Sequence, residues 1–310
     1  MYILVGALSA ILLIILLVSY VAFRMTFLFR DADKQELYHG LNGELDDIKK
    51  RRRELIERIE NIPCEDVYTE SLDGKKLHAR YYHVSDEAPL AIQFHGYKSM
   101  ALRDFSGVGY ECISRGHNLL LVDQRAHGKS QGSIITFGAK ERFDVKSWIA
   151  YSLDRFGESV QIMLYGISMG AGTVLMASEL ELPKNVVGIV ADCPFSSTKA
   201  IIKKVIKDMG LPPKLLYPFV KLGALIFGRF NPDASSPVSA VKNTEIPILL
   251  IHGTGDTFVP CEMSDEINAN GQNLTFVKIK DAAHALAYLY DSEKYNKALD
   301  NFINERIGDS

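Results

Sequence analysis

Gly166-Ile167-Ser168-Met169-Gly170 follows directly on an apolar run, residues 160–165, and precedes a helix-forming stretch. A G-x-S-x-G pentapeptide between a strand and a helix predicts a sharp turn that lifts the serine hydroxyl clear of the sheet edge. Gly166 and Gly170 suit such a turn because a Cβ at either position would collide with the neighbouring strand and helix. The N-terminal N–H groups of the helix would then face the serine. The pattern predicts Ser168 as a nucleophile.

An acid and a base follow the pentapeptide, each in a loop after a predicted strand. Asp256 comes after the apolar run 246–251, and His284 comes after the run 274–279. A serine hydroxyl is a poor nucleophile until a neutral imidazole takes its proton. The imidazole in turn needs a carboxylate that fixes its tautomer and stabilises its cation. Of the eight histidines in the sequence, His284 alone lies C-terminal to Asp256. We therefore predict a catalytic triad of Ser168, Asp256 and His284.

Two backbone N–H groups are predicted to stabilise the oxyanion that forms during attack. One belongs to Met169, the residue after the candidate nucleophile. The other is expected in the loop after an earlier strand, and the run 90–94 leads into His95-Gly96-Tyr97. We predict Tyr97 as this second donor, with Gly96 letting the loop approach the nucleophile closely. Losing one such donor costs about 3–4 kcal/mol of transition-state stabilisation. The alternative is an ordinary turn at these residues.

With these motifs, the chain resembles the α/β-hydrolase superfamily over residues 65–305. It is similar to membrane-anchored bacterial hydrolases related to monoacylglycerol lipases and acyl-peptidases, and to the eukaryotic Bem46-like proteins. The motifs are His95-Gly96-Tyr97, the Asp-x-Arg-x-x-Gly-x-Ser stretch 123–130, the pentapeptide 166–170, the loop 252–260 and His284. The resemblance implies that Asp123 and Arg125 brace the loops around the site, and that His252 supports the acid loop. For His127 it leaves loop packing or substrate contact open.

The apolar runs of the sequence predict the fold class. They alternate with helical stretches, which is typical of a parallel sheet covered by helices on both faces. The runs are residues 90–94, 118–122, 161–165, 186–191, 246–251 and 274–279. Before them, residues 66–71 and 76–83 flank Asp73-Gly74, which predicts an antiparallel hairpin. The predicted class is α/β, an α/β-hydrolase fold on a mostly parallel sheet with an antiparallel N-terminal hairpin.

The chain divides into three predicted parts: a transmembrane anchor (1–23), a charged helical linker (24–64) and one hydrolase domain (65–310). Within the domain, a small helical lid is predicted at 196–231, with helices at 198–209 and 215–227. Because the second helix is mostly apolar, a lid over the site implies a substrate with an acyl or other hydrophobic part. The alternative is a helix that merely packs on the domain.

The N-terminal run is predicted to be an uncleaved membrane anchor. Residues 1–23 carry no charged side chain, and about 20 apolar residues cross a bilayer. A cleavable signal peptide is the alternative, but no basic region precedes the run and no A-x-A site follows it. Arg24, Arg30 and Lys34 flank its C-terminal end, so the positive-inside rule places the catalytic domain in the cytoplasm. Since the catalytic motifs begin after residue 90, we expect a chain without residues 1–30 to remain active.

The linker is predicted to form a helix over residues 33–62 that packs one apolar face on the core. That face would carry Leu41, Leu45, Ile48, Leu55, Ile59 and Ile62. The basic run 49–53 has two interpretations. It could meet anionic lipid, worth roughly 1 kcal/mol per charge near the surface, or it could be a solvated helix face, which its acidic neighbours favour.

Composition excludes several other functions. The net charge of −3 provides no basic footprint for nucleic acid. The four cysteines lie far apart without a C-x-x-C pair, so no zinc site, redox motif or disulfide framework is expected. Cys193 is interpreted as a small buried residue. The motifs require neither a metal nor an organic cofactor, and the oligomeric state stays open.

These features together predict a membrane-anchored serine hydrolase. Its expected substrate is a small-molecule ester with an apolar acyl part, cleaved through an acyl-enzyme. An amide or peptide substrate is the alternative, because nothing in a triad separates the two. A hypothesis of another class is a catalytically silent hydrolase fold that serves as a membrane-tethered binding protein, against which the intact triad speaks.

Overall fold

The computed structural model describes residues 2–29 and 46–307. Within these residues the strands are β1 (Glu65–Glu70), β2 (Lys76–Tyr82), β3 (Leu90–Phe94), β4 (Asn118–Asp123), β5 (Ile162–Ile167), β6 (Val186–Asp192), β7 (Ile248–Gly253) and β8 (Leu274–Ile279). They form one sheet in the order β1-β2-β4-β3-β5-β6-β7-β8. β2 pairs antiparallel with β1 and β4, and the other neighbours pair parallel. The predicted mostly parallel sheet with an antiparallel N-terminal hairpin is confirmed.

Helices precede the sheet and connect its strands. They are α1 (Tyr2–Phe27), α2 (Asp46–Glu60), α3 (Ala101–Ser114), α4 (Glu141–Phe156), α5 (Met169–Ala177), α6 (Thr198–Asp208), α7 (Pro213–Gly223), α8 (Pro237–Ala240), α9 (Glu262–Asn268), α10 (Ala287–Tyr290) and α11 (Ser292–Asn304). A π-helical turn (Ala224–Gly228) continues α7.

The sheet has a hydrophobic core on each face, as the near-continuous apolar runs predict. Side chains of α4 and α5, with Trp148 fully buried among them, form the core on one face. Side chains of α3 and α11 form the core on the other. Strands buried on both faces need no polar alternation, which is why their sequences are almost entirely apolar.

The strand order places the candidate residues together. β3 lies between β4 and β5, so the chain adds strands first on one side of β3 and then on the other. Such a reversal opens a crevice at the carboxyl ends of the strands, where α/β proteins bind their ligands. The loops after β3, β5, β7 and β8 leave the same edge of the sheet because these strands run parallel.

The described part of the predicted linker helix is α2, which packs on the domain. The buried side chains of α2 are Arg52, Leu55, Ile56 and Ile59. The earlier part of the predicted helix, with Leu41 and Leu45, lies outside the described residues. Within the basic run, Arg52 is buried and Arg51 Nη1 donates to the Leu289 carbonyl oxygen at 2.8 Å. Arg51 and Arg52 of this run therefore contact the hydrolase domain.

α1 is long and apolar enough to cross a membrane. Its residues 2–14 are exposed, but the helix extends past the predicted end of the anchor and packs on α7. Ser19, Phe23 and Phe27 are buried, and a Cβ at Gly223 of α7 would lie 2.3 Å from the Ser19 carbonyl oxygen. The two helices therefore touch backbone to backbone. The predicted lid helix 215–227 begins earlier, at Pro213, since proline is well suited to the first helical turn.

Arg125 braces the loop after β4, as the resemblance implies. Its Nε and Nη2 donate to the two carboxylate oxygens of Asp144 in α4 at 2.6 and 2.5 Å. Nη1 and Nη2 reach Asp73 in the β1–β2 turn at 3.2 and 3.3 Å. Arg125 and Asp144 are both buried. A guanidinium fork on a carboxylate is a strong, directional pair, so this contact fixes the loop against α4.

We expect Arg125→Met to lower the free energy of unfolding by about 3–5 kcal/mol, because it leaves the Asp144 carboxylate buried without its partner. Urea denaturation in detergent, followed by the fluorescence of Trp148, the single tryptophan, measures this loss. The double variant Arg125→Met/Asp144→Leu is the control and should recover much of the stability. Equal stability of wild type and Arg125→Met would contradict the bracing role.

Candidate active site

The pentapeptide 166–170 forms a tight turn at the end of β5. Ser168 has φ 54° and ψ −113°, a left-handed conformation that is strained for a serine. A Cβ at Gly170 would lie 1.7 Å from the Phe94 carbonyl oxygen of β3, and one at Gly166 would lie 2.3 Å from the Gly170 carbonyl oxygen. Both glycines are therefore required by direct backbone contacts. The turn lifts the Ser168 hydroxyl above the carboxyl edge of the sheet.

A chain of hydrogen bonds joins Ser168, His284 and Asp256. His284 Nε2 lies 2.9 Å from Ser168 Oγ, and His284 Nδ1 lies 2.6 Å from Asp256 Oδ2. An ionised carboxylate only accepts hydrogen bonds, so His284 Nδ1 carries the proton and donates a hydrogen bond to Asp256. Nε2 is then the free acceptor for the serine hydroxyl. The structure thus brings together the three residues that the sequence places in order.

Asp256 is held in its ionised form. Burial opposes ionisation of this carboxyl group, but hydrogen bonds from His252 and His284 outweigh it and lower the pKa of Asp256 to about 2. Its Oδ1 also accepts the backbone N–H groups of Phe258 and Val259, at 2.9 and 2.8 Å. The carboxylate is therefore charged and oriented at neutral pH.

His252 supports the acid loop. Its ring is fully buried. Nε2 lies 2.8 Å from the Val259 carbonyl oxygen and 3.2 Å from Asp256 Oδ2, both of which accept. Nε2 must therefore carry the proton, and Nδ1 accepts from the Ser264 hydroxyl at 2.6 Å. This ring ties the start of the loop to its end and leaves the proton-transfer position to His284.

The loop after β3 holds Tyr97 next to the nucleophile. A Cβ at Gly96 would lie 3.5 Å from Ser168 Cβ, so the loop approaches the serine closely. The Gly96 N–H donates to Asp104 Oδ2 at 2.7 Å, and the Lys98 N–H donates to His127 Nε2 at 3.1 Å. The N–H groups on both sides of Tyr97 are thus engaged, which fixes the Tyr97 peptide between them.

His127 packs on this loop. It is buried, and burial together with the neighbouring His95 lowers its pKa to about 3. The ring is therefore neutral at physiological pH and can accept the Lys98 N–H. Of the two interpretations that the sequence leaves open, the described residues favour loop packing, since His127 is not among those that line the cavity at the serine.

Asp104 is a site residue that the sequence analysis misses. It lies in the first turn of α3 and accepts from the Gly96 N–H and, at 2.6 Å, from the Ser99 hydroxyl. An acidic residue in the first turn of the helix after the loop is the one local signal that could reveal it, and such residues are common on helices for dipole reasons alone.

Cys193 lies beside the acid and the base. Its Sγ and the nearest ligand atoms of Asp256 and His284 lie within 4.8 Å of one another. Burial raises the pKa of this thiol well above its ordinary value, and Asp256 and His284 are already hydrogen-bonded to each other. The thiol is a buried neutral group, in line with its interpretation as a small core residue.

Ser168 opens onto a cavity of about 370 Å³ with an almost wholly apolar lining. The lining includes Tyr97 and Met169, the two candidate oxyanion donors, beside the serine. The other lining residues are Val18, Ala22, Met25, Thr26, Phe137, Phe195, Ile201, Ile202, Val205, Ile206, Met209, Leu211, Leu216, Phe219, Val220, Phe258 and Val259. A volume of this size suits a small organic ligand.

Comparison with known proteins agrees with this geometry. A sequence model of the alpha/beta hydrolase fold matches residues 94–224. The chain has the α/β-hydrolase fold. Its fold is similar to that of the Pyrococcus furiosus esterase Pf2001, with a TM-score of 0.65 and 25% sequence identity over 81% of this chain and 94% of that chain. The match to this fold and the similarity to an esterase together support a hydrolase enzyme.

Two further relatives extend the comparison of this α/β hydrolase. Est1E from Butyrivibrio proteoclasticus, solved with ferulic acid bound, shares the fold, with a TM-score of 0.59 and 20% identity over 78% of this chain and 100% of that chain. In sequence, YqkD of Bacillus subtilis (strain 168) is 24% identical over 228 residues, which cover 72% of this chain and 74% of that protein. The closer relationship to monoacylglycerol lipases or Bem46-like proteins stays a prediction.

We expect Gly170→Ala to destabilise this hydrolase by about 3 kcal/mol or more, because the new methyl group meets rigid backbone of β3. Gly271→Ala is the matched control, since the three atoms nearest its Cβ would be side-chain atoms: Leu274 Cδ1 at 3.1 Å, Leu274 Cβ at 3.4 Å and Val241 Cβ at 3.6 Å. Thermal unfolding of both variants measures the difference. Similar unfolding temperatures for the two variants would contradict the close approach at Gly170.

Proposed function

We propose that the protein is a serine esterase that cleaves esters with an apolar acyl part through an acyl-enzyme. The observation that carries this proposal is the hydrogen-bonded chain Ser168–His284–Asp256 at the bottom of an apolar cavity. A nucleophile, a base within reach and an oriented acid behind it are the arrangement that acyl transfer needs.

In the first half of the reaction, Ser168 Oγ attacks the ester carbonyl carbon while its proton passes to His284 Nε2. The carbonyl oxygen becomes an oxyanion, and the N–H groups of Met169 and Tyr97 stabilise it. Collapse of this intermediate breaks the bond to the alcohol oxygen, which takes the proton from Nε2. The alcohol leaves and the acyl group stays on Ser168.

Water completes the cycle by the same steps in reverse. His284 Nε2 takes a proton from the water as its oxygen attacks the acyl carbon, and the new intermediate expels Ser168 Oγ, which recovers the proton. The products are a carboxylic acid and an alcohol. Because the pKa of Asp256 is about 2, its carboxylate stays charged throughout and stabilises the imidazolium in each half-reaction.

The cavity favours an ester with an apolar acyl group over the other candidates. Its almost wholly apolar lining offers few partners for a peptide backbone, whose polar groups would lose their hydrogen bonds to water. An amide or peptide remains the alternative substrate, because the triad chemistry is the same. A silent binding protein would have no use for a base that lies 2.9 Å from a nucleophile and 2.6 Å from an acid.

We also propose that α1 anchors the enzyme in a membrane with the hydrolase domain, residues 65–310, on the cytoplasmic side. The length and apolarity of α1 support a span, and the basic residue Arg24 at its last turn supports the orientation. The burial of Phe23 and Phe27 against the lid supports an uncleaved helix, since cleavage of a signal peptide would remove core side chains.

Variants of the three candidate residues test the mechanism. Ser168→Ala and His284→Ala should each lower kcat about 10⁶-fold, and Asp256→Asn about 10⁴-fold, because the three act in one proton-transfer unit. His252→Gln is the matched control, a histidine on the same carboxylate for which we expect a far smaller loss. Hydrolysis of p-nitrophenyl esters gives the rates, and Trp148 fluorescence checks the fold. Near-normal turnover by folded His284→Ala would contradict the assignment, and faster turnover of aminoacyl amides than of esters would favour the peptidase alternative.

Fractionation tests the membrane proposal. The protein should sediment with membranes and resist alkaline extraction, because a spanning helix is released only when the bilayer is dissolved. Protease added to intact spheroplasts should leave the hydrolase domain uncut, and protease added after lysis should digest it. Digestion in intact spheroplasts would place the domain outside and contradict the orientation.

A further inference from the structure

The cavity at Ser168 has a wall that the hydrolase domain does not supply. Four of its lining residues, Val18, Ala22, Met25 and Thr26, belong to α1. Val18, Ala22 and Met25 are spaced by four and three residues, so they share one face of the helix. The neighbouring face, with Ser19, Phe23 and Phe27, is the one buried against the lid. The last three turns of α1 therefore pack against α7 with one face and line the cavity with the neighbouring face.

Hydrogen bonds join this wall to the loops that surround Ser168. The Tyr97 hydroxyl donates to the Thr26 carbonyl oxygen at 2.8 Å. The Ile135 N–H donates to the Phe27 carbonyl oxygen at 2.8 Å, and the chain forms an isolated β-bridge between Leu28 and Ile134. Tyr97 thus links the end of α1 to the same loop that carries a candidate oxyanion donor. These hydrogen bonds hold the end of α1 in place next to the loops around Ser168.

Aromatic packing fixes the same end of the helix. Phe27 is fully buried. It meets Phe137 and Phe230 edge to face, with ring centroids 5.9 and 5.1 Å away. Phe137 also lines the cavity. Moving α1 away would expose these buried aromatic rings to solvent, which is unfavourable. The α1 wall is therefore a stable part of the site.

The rim of the cavity is apolar and lies next to the free part of α1. Four lining residues are also large exposed hydrophobics: Met25 (61% exposed), Met209 (55%), Phe258 (46%) and Leu211 (43%). The lining begins at Val18, one turn after the exposed apolar stretch, residues 2–14, ends. Exposed apolar residues grouped around an opening mark a surface that meets another apolar phase.

We propose that α1 is a wall of the acyl-binding site as well as an anchor, and that the substrate is an ester whose acyl chain is dissolved in the bilayer around α1. This inference rests on the proposed function. The acyl chain enters across the rim and lies along Val18 and Ala22, with the ester at Ser168. These two side chains then set the length of chain that the site accepts. The expectation that a chain without residues 1–30 stays active is revised, because the deletion removes this wall.

Three substitutions in the full-length, detergent-solubilised protein test the wall. Ala22→Trp fills the cavity, Val18→Ala enlarges it, and Val21→Trp is the matched control on an exposed part of α1 outside the lining. The measurement is kcat/KM for p-nitrophenyl esters from acetyl to hexadecanoyl. We expect the optimum to shift to shorter chains in Ala22→Trp, with each methylene that no longer fits costing about fourfold. It should shift to longer chains in Val18→Ala and stay in place in Val21→Trp.

Two outcomes would overturn the inference, and they are distinguishable from failure of the proposed function. Chain-length profiles of Ala22→Trp and Val18→Ala that both superimpose on the wild-type profile would show that α1 does not line the acyl site. A shift of equal size in Val21→Trp would show that any change in α1 has this effect. The proposed function is tested separately by fluorophosphonate labelling of wild-type Ser168, whose absence would overturn both.

The bilayer source of the substrate is tested with wild-type protein in phosphatidylcholine vesicles that contain p-nitrophenyl hexadecanoate. At a fixed total amount of ester, added phosphatidylcholine dilutes the ester within the bilayer. We expect the rate to fall in proportion to the mole fraction of ester once that fraction is below saturation. A rate that follows only the total concentration in the suspension would overturn entry from the bilayer.

Discussion

The site depends on the close approach of two backbones, where the first turn of α5 lies against the end of β3. A Cβ at Gly170 would stand 1.7 Å from the Phe94 carbonyl oxygen, so only glycine permits the contact. This approach bends the chain at Ser168 into a left-handed conformation with φ 54°, which costs about 1–3 kcal/mol. The two hydrophobic cores of the sheet hold the chain in this strained turn. The turn points the Ser168 hydroxyl at His284.

The remaining parts of the site are positioned by buried and half-buried polar side chains that form hydrogen bonds with the backbone. Asp104 and His127 engage the N–H groups on either side of Tyr97, and His252 joins the two ends of the acid loop. A buried polar atom is costly if it is left unpaired, so the hydrogen bonds of buried His127 and His252 satisfy buried atoms as well as ordering the loops. The result is a set of donors and acceptors fixed before substrate arrives, which is the condition for electrostatic stabilisation of a transition state.

Much of this could be predicted from local sequence, because the decisive signals are short. The pentapeptide at Ser168, the apolar runs and the Asp-Gly turn each depend on neighbours in the chain, and they predict the sheet and the order of the candidate triad. Asp104 and the α1 wall could not be predicted in the same way, since each acquires its role from a contact across the fold. Val18 and Ala22 lie in an apolar run that is typical of a lipid-facing helix. No residue next to them in the sequence distinguishes a side chain that lines a cavity from one that faces lipid. The lid helix differs for a local reason, since Pro213 starts it earlier than its apolar pattern suggests.

The central claim is that Ser168 is a nucleophile at the bottom of an acyl site walled by α1. A long-chain alkyl fluorophosphonate with a photoreactive group at the chain end tests both halves of this claim in one molecule. After reaction with the full-length protein in membranes and illumination, peptide mapping locates the phosphonate and the cross-link. We expect the phosphonate on Ser168 and cross-links on the α1 segment 18–26. A phosphonate on another residue, or cross-links confined to segments outside α1, would contradict the claim.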